Sequence, residues 1–196
     1  ALTDLPNRRA FETALASEIK AAQADNEPLS VAFCDVDHFK LINDKHGHHT
    51  GDRVLIFIAR LLSALSSDRC HIARHGGEEF VVLFRGLSVD AARDAMDGVR
   101  ADLEARKLVD AVSGDRIVGV TISAGVADIF AYDNPREALR VADQALYAAK
   151  NDGRNRVYCA GQSASADHAA RRVLTQEDDP SSVHILAPAK PNRRAG

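Results

Sequence analysis

The sequence predicts a single domain that mixes helices with strands, and three observations carry that prediction. Short apolar runs rich in β-forming residues alternate with longer segments whose apolar residues recur at helical spacing. A glycine pair, Gly76-Gly77, joins two of the short runs, CHIARH before it and FVVLF after it, as a tight hairpin. A chain of 196 residues, 45% hydrophobic and 27% charged, suits one soluble core.

Taken in order, Asn7 after Pro6 caps a first helix in which Phe11, Leu15, Ile19 and Ala22 share a face, ending near Asp25. Leu29 to Val36 reads as a buried strand that delivers Asp35 and Asp37 at its end. Charge there is costly unless it is solvated, paired or bound to a cation. From His38 a polar, glycine-punctuated segment follows, with a short helix at Phe39 to Lys45, and it runs to Gly51-Asp52. Leu55, Ile58, Ala59, Leu62 and Leu65 then mark a deeply packed helix, and Ser66 to Arg69 turns the chain into the hairpin. Beyond it, Ser88 caps a covering helix with Ala92, Ala95, Met96, Val99 and Leu103 inside. Arg116 to Ala124 reads as a strand stopped by Gly125. Asn134-Pro135-Arg136-Glu137 has the pattern of a capping box with proline at the first helical position, opening a helix that Gly153 ends. Arg156 to Cys159 reads as a last edge strand. The folded domain is therefore expected over residues 1–160. Residues 161–196, rich in Ala, Ser, Pro and charge, read as a mostly disordered tail with a small apolar patch at Val183 to Leu186.

Composition excludes several functions. The longest apolar stretch, Val54 to Leu65, is broken by Arg60 and Ser63 and is too short for a bilayer, and no signal-peptide pattern opens the chain. Membrane contact is not expected, and a cytoplasmic location is. Cys34, Cys70 and Cys159 are odd in number and widely spaced, matching neither a disulfide framework nor a zinc pattern, and they read as reduced thiols. A net charge of -3 gives no basic face for nucleic acid. His46, His48 and His49 share one loop without the cysteine or carboxylate spacing of a closed zinc site.

The chemistry concentrates at the hairpin tip. Glu78 and Glu79 follow the glycines, which are free to take φ > 0 and let a ligand approach the backbone. Two adjacent glutamates repel, and a hard divalent cation relieves that repulsion through carboxylate oxygens. A solvated hairpin tip is the alternative on this stretch alone, and Asp35 is the further carboxylate a cation site requires.

Six blocks occur in order: LTDLPNRR, FCDVDHFKLIND, HGHHTGD, RHGGEEF, TISAGVA and ADQALYAAKNDGRN. Together they resemble the GGDEF family of diguanylate cyclases from Leu2 to about Cys159. The resemblance implies an α/β (α+β) fold, a central, mostly antiparallel sheet flanked by helices, similar to the adenylate cyclase core and the polymerase palm. It implies condensation of two GTP into cyclic di-GMP, with release of two pyrophosphates, by a homodimer using Mg2+ or Mn2+. By the same resemblance, Asp35, Glu78, Glu79 and the Val36 carbonyl are metal ligands, and Glu78 or Glu79 accepts the 3′-hydroxyl proton. Asn43 and Asp52 read guanine and His48 belongs to the substrate pocket. Lys40 lies near the phosphates, Lys150 and Arg154 hold the terminal phosphates, and the His38 and Phe39 N–H groups add phosphate contacts.

These residue types have ordinary uses too. Lys150 and Arg154 suit a helix C-terminus, Asp52 an N-cap and Asn43 a turn. The family's RxxD product-inhibition site is replaced by Ser67 and Cys70. An upstream regulatory domain is expected before Ala1. A non-catalytic GTP-sensing module, a mixed-dinucleotide cyclase and a nucleic-acid polymerase are the competing functions; the intact glutamate pair, Asp52 and the lack of a basic groove count against them in turn.

Overall fold

The computed structural model describes residues 2–110 and 112–161, and the backbone of 183–186. In chain order the elements are α1 Arg8–Asp25, β1 Leu29–Val36, α2 Phe39–His46, α3 His48–Ser63, β2 Cys70–Arg74, β3 Glu79–Arg85, α4 Val89–Ala105, β4 Lys107–Asp110, β5 Arg116–Ile117, β6 Ile122–Asp128, α5 Pro135–Asn151, β7 Val157–Cys159 and β8 Val183–Leu186. A five-stranded sheet runs β2-β3-β1-β6-β7, antiparallel except where β7 joins β6. This is the mostly antiparallel sheet flanked by helices that the motifs imply.

The capping residues act as their types dictate. The Asn7 side chain accepts the Ala10 N–H at 3.0 Å to start α1, and Asn26 in the left-handed region (φ 52°) ends it. Ser88 accepts from Ala91 N–H at α4, and Asn134 from Arg136 N–H at α5. Glu137 gives its carboxylate to Arg140, in place of the return bond that completes a capping box.

Strand β1 is buried along its whole length, because helices cover both faces of the sheet. On one face Phe11 and Leu15 of α1 and Ala138, Ala142 and Leu146 of α5 pack on Val31, Phe33, Val81 and Leu83. On the other, α3 and α4 bring Ile58, Leu62, Met96 and Leu103 against Ala32, Cys34, Val82 and Val126. Alternation along a strand sends successive side chains to opposite layers, which is why β1 reads as a continuous apolar run.

Two expectations are corrected, and a short strand is added. Helix α3 begins at His48, so the polar segment ahead of Leu55 is already helical and Asp52 lies inside the helix, not at its cap. Arg116 to Ala124 is not one strand: β5 stops at Ile117, and β6 passes through Gly125 to Asp128. Gly125 admits a helix. A Cβ there would lie 2.1 Å from the Ala142 carbonyl oxygen and 2.2 Å from the Leu146 nitrogen, both α5 backbone. Within the stretch read as tail, Val183–Leu186 forms β8, parallel to β4 in a second sheet of order β5-β4-β8. The remainder of that stretch, 162–182 and 187–196, lies outside the described residues. No described helix is long and apolar enough to cross a membrane.

Candidate active site

The end of β1 and the start of β3 are held side by side by the ladder itself. Asp35 faces Glu79 across the strand pair, and Val36 N–H donates to the Glu78 carbonyl at 3.3 Å. Residues directly opposite in an antiparallel pair share a sheet face, so Asp35 and Glu79 project to the same side, that of α5. There the Lys150 ammonium, on the last turn of α5, reaches Asp35 Oδ2 at 2.8 Å. Asp35 is only 5% exposed, whereas Glu78 is half-buried and Glu79 exposed. Burial raises the Asp35 pKa; the Lys150 hydrogen bond and charge oppose this, and the Glu78 and Glu79 charges add to it.

The hairpin tip is closed by Arg74, whose guanidinium donates to the Gly77 carbonyl through Nε at 3.0 Å and through Nη2 at 2.5 Å. Its own N–H donates to the Pro6 carbonyl at 2.9 Å. Neither Gly76 nor Gly77 is at positive φ, contrary to the reading of the motif. Gly76 lies close under the Glu79 side chain, whose Oε2 a Cβ there would approach to 2.6 Å and push aside.

A second group forms where α2 meets α3. Gly51 lets the helices approach so closely that a Cβ would stand 1.9 Å from Asn43 Oδ1. That oxygen is buried and lacks a hydrogen-bond partner, a costly state for an amide that a ligand donor relieves. Asp52, one residue on, is half-buried. His38 takes the left-handed conformation (φ 54°) ahead of α2, where Phe39 is buried as its first residue. Lys40 and His48 are exposed on α2 and α3, and Arg154 (φ 62°) is half-buried in the loop after α5; among the described residues none of the three is bonded to the acidic group.

Asp37, to which the motifs give no ligand role, is an anchor of the site. At 1% exposure it accepts hydrogen bonds from Thr121 Oγ1 at 2.8 Å, Ser123 Oγ at 2.7 Å and the Asn155 N–H at 3.0 Å. One carboxylate thereby ties the end of β1 to the start of β6 and to the loop that carries Arg154. The only sequence signal was the cost of a second aspartate at a buried strand's end.

Among the described residues no group of three or more His, Cys, Asp or Glu is gathered as a metal-ligand cluster. The donors still suit a hard divalent cation in kind: carboxylate and carbonyl oxygens, and a carboxylate, Asp35, that already takes an ammonium as neighbour.

Residues 1–156 match the family model described as diguanylate cyclase, GGDEF domain. The chain is 38% identical over 156 residues to the diguanylate cyclase VdcA of Vibrio cholerae, covering 80% of this chain and 45% of that protein. It is 40% identical over 156 residues to the diguanylate cyclase DgcP of Pseudomonas aeruginosa, covering 80% and 23%. The chain thus spans less than half the length of these curated relatives. The GGDEF domain of DgcB from Caulobacter crescentus, solved in complex with c-di-GMP, superposes with a TM-score of 0.79 at 32% identity, covering 83% of this chain and 95% of that one. The active GGEEF domain of a diguanylate cyclase from Vibrio cholerae superposes with a TM-score of 0.73 at 33% identity, covering 82% and 100%.

Proposed function

The chain belongs to the GGDEF domain family of diguanylate cyclases, and from that membership we propose that it condenses two GTP molecules into cyclic di-GMP across a pair of subunits. The observation that carries this is the placement of Asp35 opposite Glu79 with Lys150 against it. The relatives' names support it, one structure being an active GGEEF domain and another a complex with c-di-GMP.

In each of two attacks a ribose 3′-oxygen forms a bond to the α-phosphorus of the other GTP. The bond from that phosphorus to the bridging oxygen breaks, and pyrophosphate leaves. A divalent cation held by Asp35, Glu78, Glu79 and the Val36 carbonyl supplies charge neutralisation at the phosphates, Mg2+ or Mn2+ being the candidates. The glutamates supply the acceptor for the hydroxyl proton, and Glu79, the more exposed, is the one a nucleotide on a facing subunit reaches. Lys150 leaves Asp35 and, with Arg154, binds the terminal phosphates. Lys40 and the His38 and Phe39 N–H groups line the phosphate path. Asn43 and Asp52, with His48 beside them, read guanine, Asp52 accepting from N1–H and the exocyclic amine. Each subunit supplies half of the assembly, so GTP and a second copy are its partners.

The test is product analysis with GTP and Mg2+ across protein concentration. Cyclic di-GMP should appear with specific activity rising steeply as subunits pair, and Glu79→Gln should abolish it without loss of fold. Artificially paired protein that binds GTP yet makes no cyclic product overturns the proposal.

A further inference from the structure

Two residues of the α3 start, on either side of Gly51-Asp52, are anchored at long range. Arg53 is 7% exposed and forms a buried ion pair with Asp110, the last residue of β4, 57 positions away. Thr50 Oγ1 donates to the same carboxylate oxygen, Asp110 Oδ2, and accepts from Arg53 Nη2 at 3.0 Å. The other oxygen, Oδ1, accepts the Val112 N–H at 2.8 Å and the Ser113 N–H at 3.3 Å. Asp110 is itself 3% exposed. Removing a charged pair from water adds little net stability, because desolvation offsets most of the attraction. In some proteins such a pair serves instead to fix one register among several.

The register fixed here is that of the helix start. Gly51 is pressed against Asn43, Thr50 and Arg53 are pinned to Asp110, and Asp52 stands between them. We infer that the Thr50–Arg53–Asp110 cluster is a positioning clamp for the first turn of α3, and that it sets how sharply Asp52 discriminates the base. This rests on the guanine-reading role given above to Asn43 and Asp52. Thr50, Arg53 and Asp110 are positioning residues, since all three are buried and act through α3.

The clamp is removed without stranding a charge by combining Arg53→Met with Asp110→Asn, which keeps a side-chain oxygen for the Val112 and Ser113 N–H groups. The readout is affinity for GTP and ITP carrying a methylene between the α- and β-phosphates, so that no pyrophosphate leaves. Inosine lacks only the exocyclic amine. The unaltered chain should prefer the guanine analogue, and the double variant should lose roughly tenfold of that preference while its unfolding midpoint stays above the assay temperature. An unchanged preference in the folded double variant overturns the clamp. Should that variant not fold, Thr50→Val alone decides: a reduced preference upholds the clamp and an unchanged one overturns it. An unaltered chain that binds neither analogue, or both equally, overturns the base-reading role and the clamp with it.

Discussion

Replacing Gly125 by alanine tests how α5 places Lys150. The added Cβ would meet three α5 backbone atoms: the Ala142 oxygen at 2.1 Å, the Leu146 nitrogen at 2.2 Å and the Ala145 carbonyl carbon at 2.8 Å. Ordinary contact begins near 3.4 Å, so the helix must retreat by roughly 1.3 Å. No side chain can rotate out of the way, because the obstacle is backbone on both sides. Overpacking of this kind costs about 1–3 kcal/mol, and the rigidity of both partners places Gly125→Ala near about 3 kcal/mol. For a chain of this size that is a fall of roughly 6–12 °C in Tm. The same retreat draws Lys150 away from Asp35, now at 2.8 Å, and turnover should fall by about a hundredfold. Calorimetric unfolding and product formation measure the two effects. A Tm within about 2 °C of the parent, with turnover within about twofold, refutes the argument that this glycine exists for helix approach.

Two further predictions concern buried carboxylates. Asp37→Ala leaves the Thr121, Ser123 and Asn155 donors without their acceptor, and should cost about 3–5 kcal/mol while the Asn155 amide loses protection from hydrogen exchange; undiminished protection would show that Asp37 does not hold the Arg154 loop. The Asp110 carboxyl is pushed up by burial, yet hydrogen bonds from Thr50, the Val112 N–H, Arg53 and the Ser113 N–H outweigh this and hold it at about 2. Its folded pKa lies below its unfolded one, so its contribution to stability is complete above about pH 4 and fades as pH falls through about 2. As pH falls from about 4 to about 2 the parent should therefore lose stability relative to the Arg53→Met/Asp110→Asn variant, and a difference in unfolding midpoint that stays constant would contradict that linkage.

Most elements were legible because their signals are local. Asn7, Ser88 and Asn134 cap the helices their side chains suggest, and the continuous apolar run of β1 reflects burial on both faces. The glycine hairpin is legible because β2 and β3 are neighbours in sequence, whereas the register that sets Glu79 opposite Asp35 belongs to the longer-range pairing of β1 with β3. Where the reading failed, the deciding partner was remote. His48 to Asp52 looks like a loop by composition, yet its helical state is supported by Asp110, nearly sixty residues downstream. Gly125 looked like a strand breaker, since nothing in its neighbourhood announces a helix arriving from residues 142–146. The partners of Asp37 are not announced locally either, its donors lying 84 to 118 positions away. The pairing of Asp35 with Lys150 joins residues that the motifs assign to a cation and to phosphate respectively, and only geometry shows them together.

Arg74 has one further consequence. Its main chain grips Pro6 and its guanidinium grips Gly77, so a single residue bolts the start of the chain to the acidic loop. The peptide ahead of Asn7 and the loop that leads into Glu79 thus share one residue as their common anchor.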